Sequence, residues 1–310
     1  MSLSIILQQM GVICILVAIG ILLQKKGVVD ALTSKKLSAI VVDVCNPAMI
    51  MASILGGDIT AGHKDLIYAA ILGAAFYTLL IITGLLMPRI LRVAPDKRKF
   101  YNLMSVYTNT GFLGIPVAKA ILPPNAIIYV IVINVFYSLL FYTHGLTVLG
   151  KTDDSDKKNP LLNIINPGTV MALLSLVVFW FDIKLPPILG NTVQYVGNAT
   201  VFLSMVLLGV SISRSKLSQS LKDIRIWVFI LLRMILLPIA IVLVLHSISF
   251  DKTATLAMCL MAAVPVGNLP MIQAEKQGMD STILSSAIAV TTAVSIFTIT
   301  ALIAVATVML

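Results

Sequence analysis

The sequence predicts an all-α polytopic membrane protein of ten transmembrane helices, built as two inverted five-helix repeats with broken fourth and ninth helices. Three observations predict this class: the composition, the segregation of basic residues among the loops, and two corresponding Asn-Gly-Pro clusters. Of the 310 residues, 59% are hydrophobic and only 11% charged, whereas a soluble domain carries about 25% charged residues. A crossing needs about 20 apolar residues to traverse about 30 Å of hydrocarbon. The chain therefore has room for many spans and little left for a soluble domain.

Apolar runs between charged or turn-rich stretches place the spans at 4–23, 36–55, 65–87, 99–121, 126–149, 165–181, 193–212, 224–246, 253–273 and 283–309. The first begins near Ser4 with no basic residue before it, which argues against a cleavable secretory signal. The second carries Asp43 one turn before Pro47. The third holds the small-residue run Gly73-Ala-Ala75, with Gly84 further on, suited to close helix approach. The fourth and ninth contain irregular centres, considered below. Trp180 in the sixth and Trp227 in the eighth stand near helix ends, as interfacial anchors do. Cys14, Cys45 and Cys259 lie far apart inside apolar runs, without metal-ligand spacing.

Charge decides the orientation. Lys25, Lys26, Lys35 and Lys36 follow the first span; Arg89, Arg92, Lys97, Arg98 and Lys99 follow the third; Lys151, Lys157 and Lys158 follow the fifth; Arg214, Lys216, Lys222 and Arg225 follow the seventh; and Lys276 follows the ninth. Only Lys64, Lys184 and Lys252 lie on the other side, and Lys119 and Arg233 fall within spans. Basic residues collect on the cytoplasmic face, so the net charge of +9 is a topology signal and no sign of a nucleic-acid partner. Both termini are expected outside a plasma membrane. A missed or added helix would scramble the alternation. The division expected is a first repeat over 1–150, a cytoplasmic linker over 151–164 and a second repeat over 165–310.

The two repeats place irregular residues at matching positions. Span 4 contains Thr108-Asn-Thr-Gly-Phe-Leu-Gly-Ile-Pro116, and span 9 contains Ala263-Val-Pro-Val-Gly-Asn-Leu-Pro270. Proline lacks an N–H and clashes with the carbonyl of residue i−4, so Pro116, Pro265 and Pro270 are expected to break these helices. Irregular backbone at membrane depth is tolerated only when buried in protein or lining a wet cavity. The half-helices after the breaks present N-termini with partial positive charge and unpaired N–H donors. Such a place suits an anion, especially a carboxylate. Asn109 and Thr110 in span 4, with Gly111 beside them, and Asn268 with Gly267 in span 9 are the candidate substrate-binding residues. Their amides and hydroxyl bind a carboxylate without adding charge.

Two intramembrane charges add to the candidates. Arg233 either attracts substrate carboxylate or pairs with an acid on a neighbouring helix, and pairing is the favoured reading. Asp43 either couples transport to protons or snorkels to the interface. Glu275 and Lys276 read as a solvated loop or the inner mouth of a path. His144 and His246, without acidic partners in register, read as interface packing.

Asn109-Thr-Gly-Phe-Leu-Gly-Ile-Pro116 resembles the N-T-G-x-x-G-[IL]-P motif of the auxin efflux carrier family, which includes plant PIN carriers and bacterial malonate or malate permeases. Ala262-Ala-Val-Pro-Val-Gly-Asn-Leu-Pro270, followed by Ala274, is similar to that family's ninth-helix pattern. Weaker matches are Asn46-Pro47, Asn166-Pro167, Leu208-Gly209 and Pro238. The resemblance implies spans 4 and 9 crossing at their breaks, as in bile-acid symporters and sodium–proton antiporters. It further implies a scaffold of spans 1, 2, 6 and 7, a transport domain of spans 3–5 and 8–10 moving as an elevator, and a homodimer through the scaffold. It also implies that Asn134 touches substrate, standing where PIN-like carriers have Gln. The stretch Asn198-Ala-Thr-Val-Phe-Leu-Ser204 departs from the family, many of whose members have proline there. The short central loop also departs from the plant carriers.

The function expected is secondary active transport of a small organic anion, a mono- or dicarboxylate such as malate or malonate, through the lipid bilayer. No cofactor is expected beyond coupling to protons or sodium. An auxin-like indole acid efflux carrier and a sensor or channel on the same fold remain alternatives. No G-x-x-x-x-G-K-[ST] loop or H-E-x-x-H motif occurs, so neither an ATPase nor a membrane metalloprotease is indicated, and no enzyme activity is expected.

Overall fold

The computed structural model describes residues 3–55, 62–150, 165, 167–214, 222–277 and 279–310. The expected linker over 151–164 and Asn166 lie outside the described residues, as do the side chains of Glu275 and Lys276. Every regular element among the described residues is helical.

Among the described residues twelve helices follow in order. Helix α1 is Leu3–Lys25, α2 Leu32–Leu55 and α3 His63–Ile90. The fourth expected span is two pieces, α4 (Arg98–Val106) and α5 (Ile115–Ile121), the latter entered through a wide π-turn at Thr110–Gly114. Then come α6 (Ala126–Leu149), α7 (Pro167–Trp180), α8 (Pro187–Arg214) and α9 (Ile224–Ser247). The ninth expected span is α10 (Lys252–Ala263) and α11 (Leu269–Lys276); α12 is Thr282–Met309. Among the described residues six helices, α2, α3, α6, α8, α9 and α12, are long and apolar enough to cross a membrane. Helix α8 starts six residues before the expected position, at Pro187, because proline at a helix start gives up an N–H that has no intrahelical partner anyway.

The starts of several helices follow from local chemistry. Asp30 caps α2 by accepting from the Thr33 N–H at 2.7 Å. Asp251 caps α10 through the Ala254 N–H at 2.8 Å, and Asp223 caps α9 through the Arg225 N–H at 2.9 Å. Each satisfies a donor that the first turn leaves without an intrahelical acceptor.

Prolines shape the interior differently from expectation. Pro47 follows a π-turn at Val41–Cys45, Pro116 follows Thr110–Gly114, and Pro238 follows Ile230–Leu236. The carbonyl that each ring would strike belongs to residue i−4, namely Asp43, Phe112 or Met234. All three lie inside the widened turn, which relieves the clash while the helix continues. Pro116 therefore does not break span 4. The helix stops upstream, where Tyr107 turns to an extended conformation (φ −103°, ψ 90°).

Two groups of helices pack side by side. Helix α1 runs along α8, α8 lies against α2, and α2 against α7. Gly20 and Gly209 make the first contact so tight that a Cβ on Gly209 would stand 2.0 Å from the Val17 carbonyl oxygen, and one on Gly20 2.1 Å from that of Val206. In the other group α3 packs on α4 and α6, α9 on α10, and α10 on both α12 and α6. Outward-facing side chains such as Ile71, Ile82 and Leu85 on α3, Leu243 and Val244 on α9, and Phe297 and Val308 on α12 are exposed. An apolar surface of this extent suits lipid.

Candidate functional site

The two helix breaks meet. Thr108 and Val266 form an antiparallel bridge, in which the Asn109 N–H donates to the Pro265 carbonyl at 2.8 Å and the Gly267 N–H to the Tyr107 carbonyl at 3.0 Å. Two donors freed from helical bonding thus find partners across the crossing, avoiding a penalty of several kcal/mol each at apolar depth. Glycine is required at 267, where a Cβ would stand 2.8 Å from the Thr108 carbonyl oxygen. At Gly111 a Cβ would meet only the side-chain nitrogen of Asn46, at 3.2 Å.

Further polar groups fix each break. The Thr110 hydroxyl donates to Asn134 Oδ1 at 3.0 Å. The Val266 N–H donates to the Thr291 hydroxyl of α12 at 3.2 Å, and that hydroxyl donates to the Ala287 carbonyl at 2.6 Å. Tyr107, immediately before the first break, donates its hydroxyl to the Leu140 carbonyl at 2.9 Å and lies 2.8 Å from His144 Nδ1. His144 is thus a partner of Tyr107 at the first break.

A cavity of about 880 Å³ opens beside the crossing. Asn109 and Asn268 line it, together with Ser204, Thr292, Lys35 and Arg214. Asn109 is 5% exposed, Ser204 1% and Thr292 2%, so these form the floor; Lys35 and Arg214 are exposed and form the mouth. The cavity separates α2 and α8 on one wall from α11 and α12 on the other. The hydroxyls of Ser204 and Thr292 make no hydrogen bond among the described residues.

The remaining candidates fall elsewhere. Asn134 is 7% exposed and accepts from the Thr110 hydroxyl; neither of the two, nor Gly111 or Gly267, is among the residues lining this cavity. Pro265 lies in the second break, whereas Pro270 occupies the second position of α11 and Pro116 that of α5; neither interrupts a helix. Asp43 is exposed on its π-turn and does not line the cavity. The expected acid partner of Arg233 is absent among the described residues. Its Nε donates to the Ser105 carbonyl at 2.7 Å and its Nη1 to the Ala262 carbonyl at 2.6 Å. Asn198, in the stretch that departs from the family pattern, accepts from Lys119 Nζ of α5 at 3.3 Å.

Ser204 and Thr292 had no signal as site residues, because hydroxyls within apolar spans commonly bond their own helix carbonyls, as Thr78 does to Ala74.

A family model described as membrane transport protein matches residues 5–303. The chain is 26% identical over 294 residues to an uncharacterized transporter of Methanothermobacter thermautotrophicus, covering 92% of this chain and 93% of that one. It is 24% identical over 299 residues to an uncharacterized transporter of Methanocaldococcus jannaschii, covering 93% and 94%. With a match across nearly its whole length, this chain belongs to the membrane transport protein family of auxin efflux carrier type.

Proposed function

We propose that this transporter is a secondary carrier of a small organic anion, a mono- or dicarboxylate such as malate or malonate. The observation that carries the reading is the pair of Asn side chains, Asn109 and Asn268, lining a cavity whose mouth bears Lys35 and Arg214. Helical backbone resumes just beyond each break, and the N-terminal end of α11 borders the cavity at Met271 and Ile272. Amides and hydroxyls replace the hydration of a carboxylate, and cations at the mouth raise the local anion concentration. The crossing offers no acidic side chain, which disfavours a cation as cargo.

The mechanism proposed is alternating access of elevator type. Spans 1, 2, 6 and 7 are the scaffold; spans 3–5 and 8–10 carry the crossing as a unit, in two inverted repeats of five. The distribution of basic loops puts Lys35 and Arg214 on the cytoplasmic side of a plasma membrane, so the cavity is the inward-facing vestibule. Coupling to protons or sodium completes the cycle.

The test is uptake into proteoliposomes of labelled malate, malonate, succinate and an indole acid under imposed pH or sodium gradients. Saturable dicarboxylate uptake that follows one gradient supports the reading and identifies the ion. Uptake of the indole acid alone, driven only by potential, replaces it with a PIN-like uniporter.

A further inference from the structure

Arg233 is the largest fully buried side chain, 1% exposed. It projects from the π-turn of α9. Its two acceptors are special positions: Ser105 is one residue from the end of α4, and Ala262 one residue from the end of α10. These are the two half-helices that run into the breaks. A helix leaves its last carbonyls without intrahelical donors and carries about half a negative charge at that end. One planar guanidinium, with donors in a fixed fork, meets both ends at once, which a lysine ammonium does with poorer geometry.

We propose that Arg233 is the shared counter-charge of the crossing, a positioning residue that locks the two broken spans together and sets the charge of the cargo. Two C-terminal ends carry together about one negative charge, which the guanidinium cancels. The N-terminal ends of the resumed half-helices are then the uncancelled positive ends of the crossing, and that of α11 borders the cavity at Met271 and Ile272. Without Arg233 the four helix ends sum to about zero and the floor loses its preference for an anion. The choice of cargo charge rests on the carrier reading above; the lock between the spans does not.

The experiment compares wild type, Arg233→Lys, Arg233→Gln and Arg233→Met in the full-length protein, by two readouts. The first is hydrogen exchange of peptides spanning Tyr107–Asn109 and Pro265–Gly267. Faster exchange at both breaks in Arg233→Met, partly restored in Arg233→Lys, is expected; unchanged exchange overturns the lock. The second is proteoliposome uptake of propionate and succinate near neutral pH, where they carry one and two charges. The energy of a ligand in a fixed potential is linear in its charge, so a loss of about tenfold for propionate becomes about a hundredfold for succinate. Equal losses for both anions, with Arg233→Lys no better than Arg233→Met, reduce the residue to packing and overturn the charge role. If Arg233→Met does not fold, Arg233→Gln carries the same comparisons. If the wild-type protein takes up neither anion while exchange at both breaks still responds, the carrier reading and the charge role fall together and the lock stands.

Discussion

The two broken spans meet as near equivalents, yet each is built by different local chemistry. In span 4 the chain leaves α4 at Tyr107 and resumes through a wide π-turn before Pro116. In span 9 the interruption runs from Val264 to Asn268, and an ordinary helix begins at once at Leu269. The first break is tied through Thr110 to Asn134 of α6. The second is tied through Val266 to Thr291 of α12. In each tie the break donates and a side chain of the next span accepts, from a hydroxyl at Thr110 and from a backbone N–H at Val266. What both halves share is the requirement, met locally by whatever polar group is within reach: freed backbone N–H groups must find acceptors where water is scarce.

The sharpest way to break this equivalence is at the glycines. Gly267→Ala pushes a methyl against the Thr108 carbonyl, backbone that cannot rotate away, and overpacking of this kind costs about 1–3 kcal/mol. Uptake is expected to fall more than tenfold, by about the same free energy. Gly111→Ala meets only a movable Asn46 side chain and should keep uptake within about threefold of wild type. Equal losses at the two positions would show that the breaks are more alike than their contacts indicate.

Next are the two asparagines. Asn109→Ala and Asn268→Ala each remove an amide from the cavity lining, and a hydrogen bond to a charged ligand contributes about 1.5–3 kcal/mol. The half-saturating concentration should rise roughly ten- to hundredfold in each variant. Unchanged binding in both would place the site elsewhere.

Smaller effects follow from the ties. Thr110→Val leaves Asn134 Oδ1 without its donor, and Thr291→Val leaves the Val266 N–H without its acceptor. A loss of about 1–3 kcal/mol in stability is expected from each, read as lowered melting temperature. Asn134→Ala should resemble Thr110→Val in its effect on binding, since Asn134 acts through Thr110; a larger effect would make Asn134 a ligand contact.

The smallest lies away from the crossing, at Asp30. Hydrogen bonding from Thr33 holds its carboxyl below the ordinary aspartate value. Its contribution to stability is therefore present above that ordinary value and lost as pH falls through the lowered one. Asp30→Asn, which caps without a charge, should match the wild-type melting temperature above pH ~5 and lose less of it in acid.

Much of the molecule was legible from the chain alone. Spans show because about 20 apolar residues in a row have few other uses. Both breaks show because glycine, proline and asparagine together are poor helix formers at the very depth where a helix is the default. Less legible was how a proline acts. Pro116 stands in the same kind of cluster as Pro265, but only Pro265 lies in an interruption; the π-turn before Pro116 absorbs its clash. Sequence reasoning about proline counts the missing donor, whereas the outcome depends on whether the preceding turn has room to widen.

Composition and order along the chain determined the helical membrane class, the family and the location of both breaks, because each is a property of contiguous residues. The tertiary structure alone decided that Asn109 and Asn268 line one cavity with Ser204 and Thr292. It alone decided that Tyr107 meets His144, and that Arg233 finds two helix ends in place of an acid. The hydrogen-bonded pairs among these join residues from 29 to 128 positions apart. No local preference encodes such a separation: a buried polar group needs a partner, but which one it finds is set by the packing of helices around it.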